Sequence, residues 1–210
     1  MKIYDLSQPL AESTAVWPGD QPFALAWSMR QDRGDSVNVA AITLSVHTGT
    51  HADGAFHFLP DGNVVADVPL ETYIGRAQVI DARGHTSLDE RVLELFEVDA
   101  PRLLFRTRDA VDERRFPEQV AAPTPAFARA LAERGVRLFG TDAPSVDPIE
   151  SKTLDAHHAF GQAGIAILEN LVLSEVPPGI YTLIALPLRL TDADSSPVRA
   201  VLVDGDPRES

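Results

Sequence analysis

Three of the chain's six histidines fall inside one eleven-residue stretch, His47-Thr-Gly-Thr-His51-Ala-Asp53-Gly-Ala-Phe-His57. With Asp53 among them, the stretch offers four metal ligands or proton carriers. A packed core has no use for so many imidazoles together. Neutral imidazole and carboxylate are, however, the usual nitrogen and oxygen donors for zinc or manganese. Fully extended, His47 to His57 would span about 33 Å. Donors on one ion lie within about 3–4 Å of each other, so the chain must curl after His47. Gly49 and Gly54 permit the curl, because glycine tolerates backbone angles that other residues avoid. The spacing predicts a strand end leading into a coiled loop. A helical pair of ligands is disfavoured, since Thr48-Gly49-Thr50 is poor helix material.

A second group lies far downstream. His157 and His158 sit on a short predicted helix, and Glu169 ends the apolar run Ile165-Ala-Ile-Leu168. A lone carboxylate there is costly to bury unless it is paired or bound to a cation. A structural salt bridge accounts for Glu169 as well as a metal does, and helix packing competes as a reading of His157. Taken with His47, His51 and Asp53, these two residues make a five-ligand set. That exceeds the three protein ligands typical of a catalytic zinc. Two metals about 3.5–4 Å apart, bridged by carboxylate, would use them all.

The elements that must position these groups can be read from pattern. Ser36 to Val46 is rich in β-branched residues and predicts a strand running into His47. Further strands are expected at 77–81, 102–106, 136–140, 165–169, 180–185 and 198–203, and Met1-Lys-Ile-Tyr-Asp-Leu6 is strand-like too. Three helices are expected. One follows Ser87, with Glu90 at capping-box spacing. One starts at Thr124-Pro125 and stops at Gly135. The third runs from Leu154 to Ala163, closed by Gly164. Strands outnumber helices and the connections vary in length. The expectation is one α/β domain over residues 1–210, with a mixed, largely antiparallel or barrel-like β-sheet and a few flanking helices. Arg108 to Pro125, the most polar interior stretch, reads as a surface excursion. The tail from Asp204 to Ser210 reads as frayed, and Asp20 and Asp142 read as turn residues.

Composition narrows the partners. The chain has 210 residues, 44% of them hydrophobic, enough for a full core. It carries 18 basic against 31 acidic residues, a net charge of −13. Such a surface repels phosphate backbones and anionic lipid, so no nucleic acid and no membrane partner is expected. No apolar run approaches the roughly 20 residues of a bilayer span, and the N-terminus lacks the apolar stretch of a secretory signal. The absence of cysteine removes disulfides and thiol nucleophiles and is compatible with a cytoplasmic setting. Any metal must use His, Asp or Glu.

The run HTGTHADGAFHF resembles the H-x-G-x-H-x-D-x-x-x-H motif of the metal-dependent Putative cyclase hydrolases. WPGD at 17–20, SKTLDAHH at 151–158 and ILENLVL at 167–173 resemble the arylformamidase branch of that family. The resemblance covers nearly the whole chain. It implies hydrolysis of N-formyl-L-kynurenine to L-kynurenine and formate, at two zinc ions per subunit with manganese the other candidate, in a homodimer. It maps His47, His51, Asp53, His157 and Glu169 onto the metal ligands, with Asp53 bridging both ions. His57 maps onto the catalytic proton carrier and Trp17 onto a substrate contact, although a buried core position would explain Trp17 equally well on residues alone. The chain departs from the family at Ala55, where proline is usual, and at Asn170, where glycine is common. Neither departure removes a ligand.

Three rival readings follow. A relative opening a different amide or lactam, of the isatin hydrolase type, would share every ligand. A non-catalytic metal-binding protein would not need His57. A serine hydrolase would need a G-x-S-x-G elbow, which the sequence lacks.

Overall fold

The apolar runs around Leu103, Phe139 and Ile167 become the middle of a sheet covered on both faces. The computed structural model describes residues 1–205. In chain order its elements are β1 (Lys2–Asp5), β2 (Ala24–Met29), β3 (Val39–Thr43), β4 (His51–Asp53), β5 (Ile74–Asp81), β6 (Ser87–Leu88), β7 (Arg102–Arg106), β8 (Ala122–Pro123), α1 (Pro125–Glu133), β9 (Leu138–Thr141), α2 (Asp155–Gln162), β10 (Ala166–Glu169), β11 (Gly179–Ile184), β12 (Ser195–Pro197) and β13 (Val201–Asp204). Nine strands form one sheet in the order β1-β13-β11-β5-β7-β9-β10-β4-β12. Five of its eight pairings are antiparallel, and β5–β7, β7–β9 and β9–β10 are parallel. The expected mixed, largely antiparallel α/β sheet is what forms.

Strands buried on both faces lose the in–out alternation and read as continuous apolar runs. Leu104, Leu138 and Leu168 pack on one side with Leu183 and Leu202. Leu103, Phe105, Phe139 and Ile167 pack on the other, against Phe127 and Leu131 of α1 and Phe160 of α2. Phe139 stacks on Phe105 at 5.2 Å and on Phe160 at 4.8 Å between ring centroids. This aromatic column fixes α2, and with it His157, against the sheet. Helix α1 begins as its sequence predicts: Thr124 accepts a hydrogen bond from the Phe127 N–H and Pro125 follows at the first helical position.

The structure departs from the sequence reading in four places. The expected helix after Ser87 is a short 3-10 turn over Glu90–Glu94 capped by Asp89, which accepts from the Arg91 N–H. Ser87 cannot cap it because Ser87-Leu88 pairs with Ala122-Pro123 and buries Leu88. The strand expected over 36–46 is only Val39–Thr43. It pairs with the unforeseen β2 in a separate two-stranded ribbon that leaves Leu25, Trp27, Met29, Val39 and Ile42 exposed. His47 lies beyond it in a turn. The expected coil over 47–57 is not complete, since His51–Asp53 forms β4 inside the main sheet. Asp204, expected to fray, pairs with Lys2, and residues 206–210 lie outside the described residues.

Phe139→Ala should cost about 3–5 kcal/mol, because a fully buried ring packed against those of Phe105, Phe127 and Phe160 leaves a cavity its rigid neighbours cannot fill. Equilibrium urea unfolding should show this as a lower midpoint at unchanged slope.

Candidate metal centre

Successive side chains on a strand point to opposite faces. On β4, Ala52 therefore enters the apolar core while His51 and Asp53 share the other face. In the antiparallel pairing with β10, Glu169 lies directly opposite His51, and directly opposed residues share a face. His51, Asp53 and Glu169 are all nearly inaccessible to solvent. His157, equally buried, comes down from α2. His47 arrives from the turn before β4, where Gly49 adopts the left-handed φ of 66° that the curl requires. Gly54 serves differently. Its φ of −83° is ordinary, but a Cβ there would lie 2.6 Å from Val65 N and 3.0 Å from Asp194 O. Its N–H donates to that same Asp194 carbonyl at 2.7 Å.

The donor atoms converge on Asp53. Its Oδ1 lies 3.3 Å from His47 Nδ1 and 3.5 Å from His51 Nε2, and its Oδ2 lies 3.7 Å from His157 Nε2. Glu169 completes the ring, with Oε2 3.3 Å from His51 Nε2 and Oε1 3.6 Å from His157 Nε2. Each imidazole has its other nitrogen held. His51 Nδ1 donates to Gly49 O at 2.8 Å, His157 Nδ1 to Asp147 Oδ2 at 2.7 Å, and His47 Nε2 to Asp194 Oδ2 at 2.9 Å. Metal-binding histidines are typically oriented this way. His51 Nε2 and both Asp53 oxygens are buried without a hydrogen-bond partner. Stranding a carboxylate costs far more than leaving it in water. The three imidazoles and two carboxylates therefore fit a divalent cation of the zinc or manganese type. All five residues that the sequence nominated as ligands meet here, in two overlapping triads that share Asp53.

The electrostatics agree. Burial would push His47 and His157 towards neutrality, yet Asp53 and then Asp194 hold His47 up at about 9, and Asp147 and then Asp53 hold His157 up at about 10. Burial would also raise Asp53, but His157 and His47 beside it keep its carboxyl well below the usual range. Without an ion, protons on the imidazoles take over its role.

His57 ends a single 3-10 turn, Ala55–His57, at the rim of this cluster. Its Nδ1 lies 3.1 Å from Asp194 Oδ2, and its ring sits 4.2 Å from that of His47. Asp194 thus holds both histidines through one oxygen. Sequence reasoning missed Asp194 and Asp147. Both lie in connecting segments, Asp147 within a stretch that resembles the family but singles out no role for it, and only the fold brings them to their histidines. Asp147 also accepts from the backbone N–H groups of Ala156 and His157, capping α2 from a distance. Asp142 has the expected structural role, accepting from the backbone of Thr107 and Arg108.

The cluster opens on a cavity of about 620 Å³ whose walls include Trp17, Phe116, Arg108 and Asn170. Trp17 is 37% exposed, which rules out a core position. It meets Phe116 edge to face at 5.2 Å. Phe116 belongs to the polar stretch 108–125, which therefore walls the cavity as well as running along the surface. Asn170 holds φ at 58°, the left-handed region that glycine fills at least cost and asparagine tolerates.

Residues 4–148 match the family model described as Putative cyclase. The chain is 48% identical over 199 residues to the kynurenine formamidase of Bacillus cereus, covering 94% of this chain and 95% of that protein. A solved structure described as a potential metal-dependent hydrolase with cyclase activity matches with a TM-score of 0.84 at 26% identity, over 98% of this chain and 99% of that one. Isatin hydrolase A from Labrenzia aggregata, bound to benzyl benzoate, matches with a TM-score of 0.81 at 26% identity, over 97% and 94%.

The raised pKa values of His47 and His157 predict a pH dependence. Their stabilising contribution is fully present below their ordinary value of 6.5 and is lost as pH rises through about 9 to 10. Thermal denaturation in chelator should show a melting temperature that falls from pH 7 to 10. Saturating divalent cation should abolish the fall, because bound imidazoles are neutral throughout.

Proposed function

Because this chain belongs to the Putative cyclase family, we propose that it is a metal-dependent arylformamidase that hydrolyses N-formyl-L-kynurenine to L-kynurenine and formate. The observation that carries the reading is the stranded Asp53 carboxylate, ringed by three oriented imidazoles and Glu169 at the floor of an aromatic-walled cavity. The near-full-length likeness to a kynurenine formamidase supports the substrate. In this reading His47, His51, Asp53, His157 and Glu169 would hold two zinc ions, with manganese the alternative, and Asp53 would be the ligand shared between them. Bound divalent cations supply a lowered pKa for water and Lewis-acid polarisation of the formyl oxygen.

The chain's own groups do the rest. Asp194 accepts from His57 Nδ1, so His57 Nε2 is the atom left to carry a proton. His57 Nε2 takes the proton from the attacking water. It then gives that proton to the aryl nitrogen as the C–N bond breaks, releasing formate and the amine. General acid–base help of this kind is worth about 10²–10⁴ in rate. Trp17 and Phe116 offer flat faces to the aryl ring. A homodimer and a cytoplasmic setting belong to the same reading. The exposed apolar ribbon of β2 and β3 supports the first. Among the described residues no helix is long and apolar enough to cross a membrane.

The likeness to isatin hydrolase A supports a second reading, opening of the isatin lactam at the same site. Product release from N-formylkynurenine and from isatin, measured side by side, separates the two.

Two variants test the assignments. His57→Ala should keep stoichiometric metal and lose about 10²–10⁴ of kcat, as checked by elemental analysis alongside kynurenine release. Asp53→Ala should lose metal and activity together, since both triads share that residue.

A further inference from the structure

The parallel strands β7, β9 and β10 end level with one another, Phe105 lying opposite Thr141 and Leu168 opposite Gly140. Segments leaving their C-terminal ends supply one side of the cavity. Glu169 ends β10 and Asn170 follows it, Pro144 and Ser145 follow β9, and Arg108 follows β7. Neighbouring strands lie about 4.8 Å apart, so the β7 exit stands on the order of 10 Å sideways from the carboxylate ending β10. That is the scale of a substrate's far end.

Arg108 is held in place there. Its backbone N–H donates to Asp142 Oδ2 at 3.0 Å, and its Nη1 donates to the Asp142 carbonyl at 3.0 Å. Its Nε and Nη2 meet no acceptor among the described residues, and the nearby Asp142 carboxyl, which accepts from its backbone N–H, acts on the guanidinium through space without forming an ion pair with it. The side chain is half-buried on the cavity wall. The wall's other cation, Arg115, differs: it is 77% exposed and lies 3.7 Å from Glu118. In a chain of net charge −13, whose cavity already holds Asp20, Asp112 and Asp194, an anionic ligand group is repelled unless a cation meets it. A positioned guanidinium with free donors matches a carboxylate better than any other group does.

We propose that Arg108 receives the α-carboxylate of an aryl formamide that carries an amino-acid arm, and thereby sets the preference for that substrate class. The proposal rests on the formamidase reading above. In N-formylkynurenine the carboxylate ends the arm beyond the aryl ketone, so with the formyl carbon over the Asp53 cluster the acid end can reach as far as the β7 exit.

The test compares kcat/KM on N-formylkynurenine with that on N-formylaniline, which keeps the scissile bond and lacks the arm. Arg108→Gln should collapse the preference for N-formylkynurenine about 10–100-fold, mainly through KM, as expected for losing a hydrogen bond to a charged group. Arg108→Lys should keep part of it, since a point charge remains without the fork. A second measurement needs no variant: the wild type should disfavour N-formylkynuramine, which lacks only the carboxylate, by a similar factor. An unchanged preference, an equal loss on both substrates, a collapse in Arg115→Gln instead, or equal use of N-formylkynuramine would each overturn the assignment. A metal-loaded wild type that releases no kynurenine would overturn the formamidase reading, and the assignment with it.

Discussion

Two carboxylates buried against a sheet must be neutralised, and the rest of the molecule is arranged around that demand. Asp53 and Glu169 are each almost wholly out of water, where an unpaired anion costs several kcal/mol even after relaxation. Apolar packing cannot offset this, so the fold surrounds them with imidazoles whose second nitrogens are already tied. The tying groups, Gly49 O, Asp147 and Asp194, set which ring atom faces inward. A cation entering such a cluster finds its donors aimed beforehand, and little ordering remains to be done on binding.

The scaffold explains why the aim holds. β4 is only three residues long, yet it is hydrogen-bonded on both sides, to β10 and to β12. A one-residue slip would turn Ala52 towards the site and bury His51 and Asp53 in the apolar core. The apolar contact of Ala52 on one face therefore secures the polar cluster on the other. On α2, Phe160 and His157 lie one turn apart. The ring column that anchors the first also fixes the second. Packing and chemistry share the same short elements, which leaves the surface excursions free to shape the cavity.

The clustered imidazoles and carboxylates were legible in the sequence because such donors are chemically distinctive and, in 47–57, crowded. The core strands were legible because strands covered on both faces leave unbroken apolar runs, but their parallel pairing was not, since it is set by the crossover connections rather than by the runs themselves. Asp147 and Asp194 were not, since an acidic residue in a connection resembles any solvated turn until the fold supplies its neighbour. The misread helix after Ser87 has a similar cause. The local capping signal is real, but pairing of Ser87-Leu88 with Ala122-Pro123 draws that segment into extended geometry first, and tertiary context overrides local preference. β4 and β12 were invisible for a further reason. Three residues carry too little periodicity to announce a strand, and Pro197 argues against one. The polar stretch 108–125 was read for its composition alone, which does not tell which of its side chains turn inwards.

The sheet joins the two ends of the chain: β1 has β13 as its neighbour, and the Asp194 carboxylate reaches His47 across a separation of 147 residues. During synthesis the chain is made from its N-terminus, so the first strand and the first histidine emerge long before their partners. Until β13 leaves the ribosome, β1 lacks its neighbour, and until Asp194 does, the imidazole cluster lacks one of its holding groups. Contacts of such long range form slowly. The centre is thus a late product of folding, and cation capture would act as a final latch that separates finished copies from nascent ones.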